Sequence, residues 1–116
     1  MEKRLPIAMV VNLAPVQALT GNGIELTYTN NVSAHGACVV SSHPWQQGEF
    51  AEITSLLDRI SMRGKVVYCR KQGDEQYAVG LSFQSSDVVW SIYLKYSRHA
   101  QQTTPLPQRF SRRNLQ

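Results

Sequence analysis

Tyr77-Ala78-Val79-Gly80-Leu81-Ser82-Phe83 puts its large apolar side chains on odd positions and small ones on even positions. A period of two marks an extended strand with one face toward a core, because successive side chains point to opposite faces. Upstream, Gln72-Gly73-Asp74-Glu75 reads as a hairpin tip, and before it lie two further strand candidates, Phe50 to Leu57 and Ile60 to Cys69. These are joined across Asp58-Arg59, and Gly64 is read as a bulge that lets the second strand curve around a small barrel. Ser41 to Gly48, holding Pro44 and Gly48, is a loop after a short strand from Gly36 to Val40. Ile24, Leu26 and Tyr28 fall on one parity, with Glu25, Thr27 and Thr29 on the other. Thr20-Gly21-Asn22-Gly23 is the turn before them, since Asn and Gly tolerate positive φ. Ile7 to Leu19 is the first strand, with a bend expected at Pro15. Six short strands at regular spacing give a mainly all-β fold, a barrel or a sandwich.

Downstream of Phe83 the period changes. Val89, Ile92, Tyr93 and Tyr96 share one face at helical spacing, Ser85-Ser86-Asp87 offers N-cap oxygens, and Lys95 and Arg98 suit the negative C-terminal end. The expected division is a domain over residues 1–98, closed by this helix, and a flexible basic tail over 99–116.

The chain has 116 residues and a formal net charge of +4, a length suited to one domain. Twelve Lys+Arg stand against eight Asp+Glu, but Lys95, Arg98, Arg109, Arg112 and Arg113 fall after Asp87 with no acid among them. The excess positive charge therefore sits at the C-terminal end and, locally, at Lys3-Arg4, which favours an anionic partner or simply aids solubility. No apolar run reaches the ~20 residues that span a bilayer, and the leading segment has too short an apolar stretch for a secretory signal. Membrane insertion is not expected. Cys38 and Cys69 form no CxxC pair and read as reduced core thiols of a cytoplasmic protein, with one disulfide as the lesser alternative.

No catalytic set is legible. His35, His43 and His99 lack metal-ligand spacing, neither cysteine has a His neighbour in sequence, and no phosphate-loop or dinucleotide fingerprint occurs. The expectation is a binding module rather than an enzyme, with no metal and no resident cofactor. Trp90 is expected in the core, whereas Trp45, behind Pro44 in a polar loop, is open as an exposed contact residue.

Asn31-Val32-Ser33-Ala34-His35-Gly36, followed by the apolar Ala37-Cys38-Val39-Val40, resembles the (D/N)-x-S-x-x-G signature of the PilZ domain family, bacterial receptors for cyclic di-GMP. Lys65-Val66-Val67-Tyr68 leading through a hairpin to Val79-Gly80-Leu81-Ser82-Phe83 is similar to the family's second half, and the resemblance covers residues 2 to 98. It implies a six-stranded barrel with one C-terminal helix, and a ligand resting on the outer face against Asn31, Ser33 and Gly36, with His35 in reach. Chemically, Asn31 and Ser33 can hydrogen-bond a guanine edge or simply hold the turn, while Gly36 permits positive φ or a close backbone approach.

The family also uses two arginines spaced R-x-x-x-R near the N-terminus, whose planar forks suit phosphate and guanine. Here only one arginine of that pair is present: with Arg4 in the first position the second falls on Ala8, and with Arg4 in the second the first would precede Met1; Lys3 is a weaker substitute. Arg4 is expected to close over the ligand from a flexible N-terminal segment. Arg59 and Arg63 repeat the spacing but read as solvated edge charges, and Arg109 to Arg113 repeats it in the tail. Two functions follow: a receptor that relays cyclic di-GMP level to an unidentified effector protein, or a degenerate relative that serves pilus or motility machinery as a protein adaptor without binding nucleotide. Nucleic acid is disfavoured as a partner, since no basic, aromatic-rich strand face is present.

Overall fold

In a computed structural model, which describes residues 3–17, 23–84 and 86–101, the chain forms six strands and one helix. The strands are β1 (Val10–Pro15), β2 (Glu25–Ser33), β3 (Gly36–Ser41), β4 (Phe50–Ser55), β5 (Ser61–Gly73) and β6 (Gln76–Ser82), followed by helix α1 (Ser91–Gln101). They close into an antiparallel barrel in the order β1-β2-β3-β6-β5-β4, with β1 pairing β4 to seal it. Closure leaves no strand edge open to pairing with another chain.

Val11, Leu13, Val32, Val39, Ala51, Ile53, Val66, Val79, Leu81 and Phe83 fill the interior. Each large aliphatic residue so buried contributes about 1.5–3 kcal/mol relative to leaving it in water. Trp90 closes one end of this core as expected: it is fully buried, stands edge-on to Phe83 at 5.6 Å, and donates Nε1–H to the Ile60 carbonyl at 2.9 Å.

Several sequence expectations are corrected in detail. β1 begins at Val10 and ends at Pro15 rather than running through it. The turn expected at residues 20–23 falls largely outside the described residues. The apolar parity of β2 faces outward: Ile24, Leu26 and Tyr28 are exposed, beside exposed Val10 across the Val10–Tyr28 pair. The polar parity is turned toward the barrel because its oxygens hold backbone. Thr29 Oγ1 donates to the Ile7 carbonyl at 2.6 Å and accepts the Met9 N–H at 2.9 Å, and Thr27 Oγ1 donates to the Val40 carbonyl.

Gly64 is not a bulge. It pairs in register with Ala51, and its missing side chain makes room for Leu81 and Phe83, whose carbons a Cβ would meet at 3.0–3.2 Å. The irregularities of β5 lie instead between Val66 and Tyr68 and between Lys71 and Gly73. Trp45 is buried rather than an exposed contact residue. Its indole N–H donates to Ser41 Oγ at 3.0 Å, Ser41 donates to Glu25, and His43 stacks on the indole at 5.5 Å. This network closes the far end of the barrel with its polar atoms paired.

Helix α1 starts later than its expected caps. Ser85 lies outside the described residues, and Ser86 and Asp87 precede the first helical residue by several positions. The cap arrives from the β4–β5 turn: Asp58 accepts the Ser91 N–H at 2.8 Å and the Ser91 hydroxyl at 2.7 Å. Val89 and Tyr96 are exposed, whereas Ile92 and Tyr93 pack against the core. The helix runs to Gln101, so residues 99–101 continue it, and the basic segment with Arg109 to Arg113 lies outside the described residues. Among the described residues no helix is long and apolar enough to cross a membrane. Both thiols are free, Cys38 buried and Cys69 half-buried.

Candidate functional site

Asn31, Val32 and Ser33 end β2 as strand residues, and a two-residue turn, Ala34-His35, leads directly into Gly36 of β3. The connection between these strands is thus a tight hairpin, with a register irregularity between Thr29 and Asn31. Ser33 is buried and its hydroxyl donates to the Gly36 carbonyl at 3.4 Å, which fastens the turn. Gly36 serves close packing rather than positive φ. A Cβ there would stand 2.6 Å from the Leu81 carbonyl oxygen of β6, nearer than a side chain can come.

The turn is also anchored from outside. Phe83 N–H donates to the His35 carbonyl at 2.7 Å, Val88 N–H donates to the Ala34 carbonyl at 2.9 Å, and the His35 ring lies 2.8 Å from Asp87 Oδ1. His35 therefore already has a carboxylate partner beside the site.

Leu5 brings the N-terminal segment to this hairpin. Its N–H donates to the Val32 carbonyl at 2.8 Å and its carbonyl accepts the Val32 N–H at 2.9 Å, an isolated antiparallel bridge. Ile7 and Met9 are buried and Thr29 grips their backbone. Leu5 to Met9 is docked on the barrel, so the flexible segment expected to carry Arg4 is held down from Leu5 onward. The antiparallel bridge sets Arg4 opposite Ser33.

Together these elements frame a cleft of ≈ 310 Å³ on the outer barrel face, at the low end of the ~300–1,000 Å³ range of small-molecule sites. Arg4, Asn31, Ser33, His35 and Gly36 all line it. Lys3 is exposed and does not, and Ala8 faces a separate apolar groove with Leu5, Pro6, Ile7, Ile92 and Tyr96. Arg59 and Arg63 are exposed and also lie off the cleft.

Another wall comes from β5, β6 and the turn after β6 and includes Val67, Tyr68, Gly80 and Gln84, residues that sequence reading did not assign to the site. Tyr68 pairs with Gly80, and the ring occupies the space a side chain on Gly80 would fill. A glycine opposite an aromatic on one sheet face was the available signal. Burial, then the hydrogen bond and charge of the neighbouring Cys38 thiol, push the Tyr68 hydroxyl above its ordinary pKa, while Arg4 and Arg70 pull the other way. Tyr68 is therefore a neutral phenol at physiological pH, able to donate and accept.

Among the described residues Arg4 is the only fixed charge lining the cleft, and none of the lining residues is a carboxylate. Among the described residues no group of three or more His, Cys, Asp or Glu side chains is placed to hold a metal ion. What the walls offer is one planar cationic fork, two carboxamides, hydroxyls and apolar surface, a set suited to an anion attached to a flat polar base. No curated protein matches this chain. The family model for the PilZ domain matches residues 2–90, covering the barrel, the hairpin and Arg4, and the chain belongs to the PilZ domain family, whose members are receptors for cyclic di-GMP.

Proposed function

We propose that this domain is a bacterial, cytoplasmic receptor that binds cyclic di-GMP in the Arg4–Ser33–Tyr68 cleft and passes its occupancy to a partner protein. The observation that carries the proposal is the docking of Arg4 opposite Ser33 by the Leu5–Val32 bridge, so that cation and hairpin face one cleft. Arg4 takes a phosphate, while Asn31 and the hairpin take a guanine edge. With Leu5 to Met9 already docked, the backbone that carries the arginine is in place before ligand arrives. Output then comes from the surface that the covered cleft presents, not from a chemical step.

The adaptor reading has its own support. Only one arginine of the family pair is present, and one lost charge-assisted contact costs about 1.5–3 kcal/mol, roughly ten- to a hundred-fold or more in affinity. The exposed Val10, Leu26 and Tyr28 on β1 and β2 provide surface for a protein contact. Isothermal titration with cyclic di-GMP separates the two. The receptor binds, and Arg4→Ala and Ser33→Ala each weaken it; an adaptor gives no heat at high micromolar ligand.

A further inference from the structure

Arg70 lies two positions beyond Tyr68 on β5, and the pairs Tyr68–Gly80 and Arg70–Ala78 put both side chains on the same outer sheet face. Its guanidinium carbon stands 4.6 Å from the centroid of the Tyr68 ring, within stacking distance. Tyr68 lines the cleft, and the Gly80 side supports the same ring. Arg4 lines the same cleft as Tyr68 while Arg70 stacks on its ring, so two cations from different segments of the chain border one phenol. Arg70 is exposed, and no described carboxylate forms an ion pair with it.

We propose that Arg70, which stands beside the cleft lining rather than in it, is a second phosphate-binding cation at the rim, held over Tyr68 on β5 and completing with Arg4 a pair drawn from two separate segments. The inference rests on the cyclic di-GMP reading of the same site. A cyclic dinucleotide carries two phosphodiester anions, and a single guanidinium cannot fork onto both. Stacking on Tyr68 restricts the Arg70 side chain before ligand arrives, so less rotamer entropy is lost on contact, while its N–H donors remain available. Lysine at this position keeps the charge but loses both the stack and the fork.

The test is calorimetric titration of the full chain with cyclic di-GMP, comparing wild type with Arg70→Ala, Arg70→Lys and Arg63→Ala. Arg63 is an exposed cation on the same strand, paired across to Glu52 of β4 instead of stacked on Tyr68, so it controls for general electrostatic attraction. Thermal melts confirm that each variant is folded. The proposal expects Arg70→Ala to weaken binding about ten- to a hundred-fold, Arg70→Lys to fall between it and wild type, and Arg63→Ala to bind as wild type. Wild-type affinity in Arg70→Ala, or an equal loss in Arg63→Ala, overturns the role of Arg70 and leaves the receptor reading standing. Absence of binding by wild type overturns both.

Discussion

Leu5 and Val32 exchange both backbone hydrogen bonds, at 2.8 and 2.9 Å, and this single bridge fixes where Arg4 stands relative to the β2–β3 hairpin. Leu5→Pro removes the donating N–H and one of the two bonds. The expected result is a melting temperature lowered by a loss of about 1–3 kcal/mol, with cyclic di-GMP affinity falling as far as in Arg4→Ala. Titrations of Leu5→Pro and Arg4→Ala side by side check this. Wild-type affinity in Leu5→Pro would show that the bridge does not position the arginine.

Gly36 tests whether the signature glycine is a packing residue. Its Cβ would meet the Leu81 carbonyl at 2.6 Å, so Gly36→Ala must separate β3 from β6. Chemical denaturation is expected to show a loss of about 1–3 kcal/mol without ligand present. Unchanged stability with lost binding would instead make the glycine a ligand-approach residue.

How much of this could be read from the sequence depends on which physical signal each residue carries. Period-two alternation located all six strands, and Tyr77 to Phe83 marked β6 nearly to the residue. Burial direction was not legible in β2, where Ile24, Leu26 and Tyr28 face solvent because Thr29 is needed inside to bond Ile7 and Met9. Local alternation cannot report a partner twenty residues away in the chain. The same limit hid the helix cap, supplied by Asp58 from across the fold, and the burial of Trp45 through Ser41. Asn31, Ser33, Gly36, His35 and Arg4 were legible through a local pattern, and the cleft brings them together; Lys3 stays outside it. Tyr68 and Arg70 were not, since their meeting depends on sheet register and on the space above Gly80.

Asp58 accepts both the N–H and the hydroxyl of Ser91, a cap built from tertiary contact. Asp58→Ala is expected to cost about 0.5–2 kcal/mol and to reduce helical circular dichroism, while barrel signals persist. Loss of neither stability nor helicity would mean that the packing of Trp90, Ile92 and Tyr93 anchors α1 without the cap.

Tyr68 sets the alkaline behaviour. Its folded pKa lies above the ordinary tyrosine value near 10.0, so the unfolded chain deprotonates first as pH rises. The stabilising contribution is complete below the unfolded pKa and is lost as pH climbs through the folded one. Tyrosinate absorbance against pH should show one late-titrating group that disappears in Tyr68→Phe. A titration curve unchanged by that substitution would contradict the burial of this hydroxyl.

The most direct test is an amide-resolved NMR titration of the full chain with cyclic di-GMP. Saturable shifts should concentrate on Arg4, Asn31 to Cys38, Tyr68 and Gly80 to Gln84, with β1 and β4 undisturbed. Shifts confined to another face, or none at high micromolar ligand, would contradict a receptor site in this cleft.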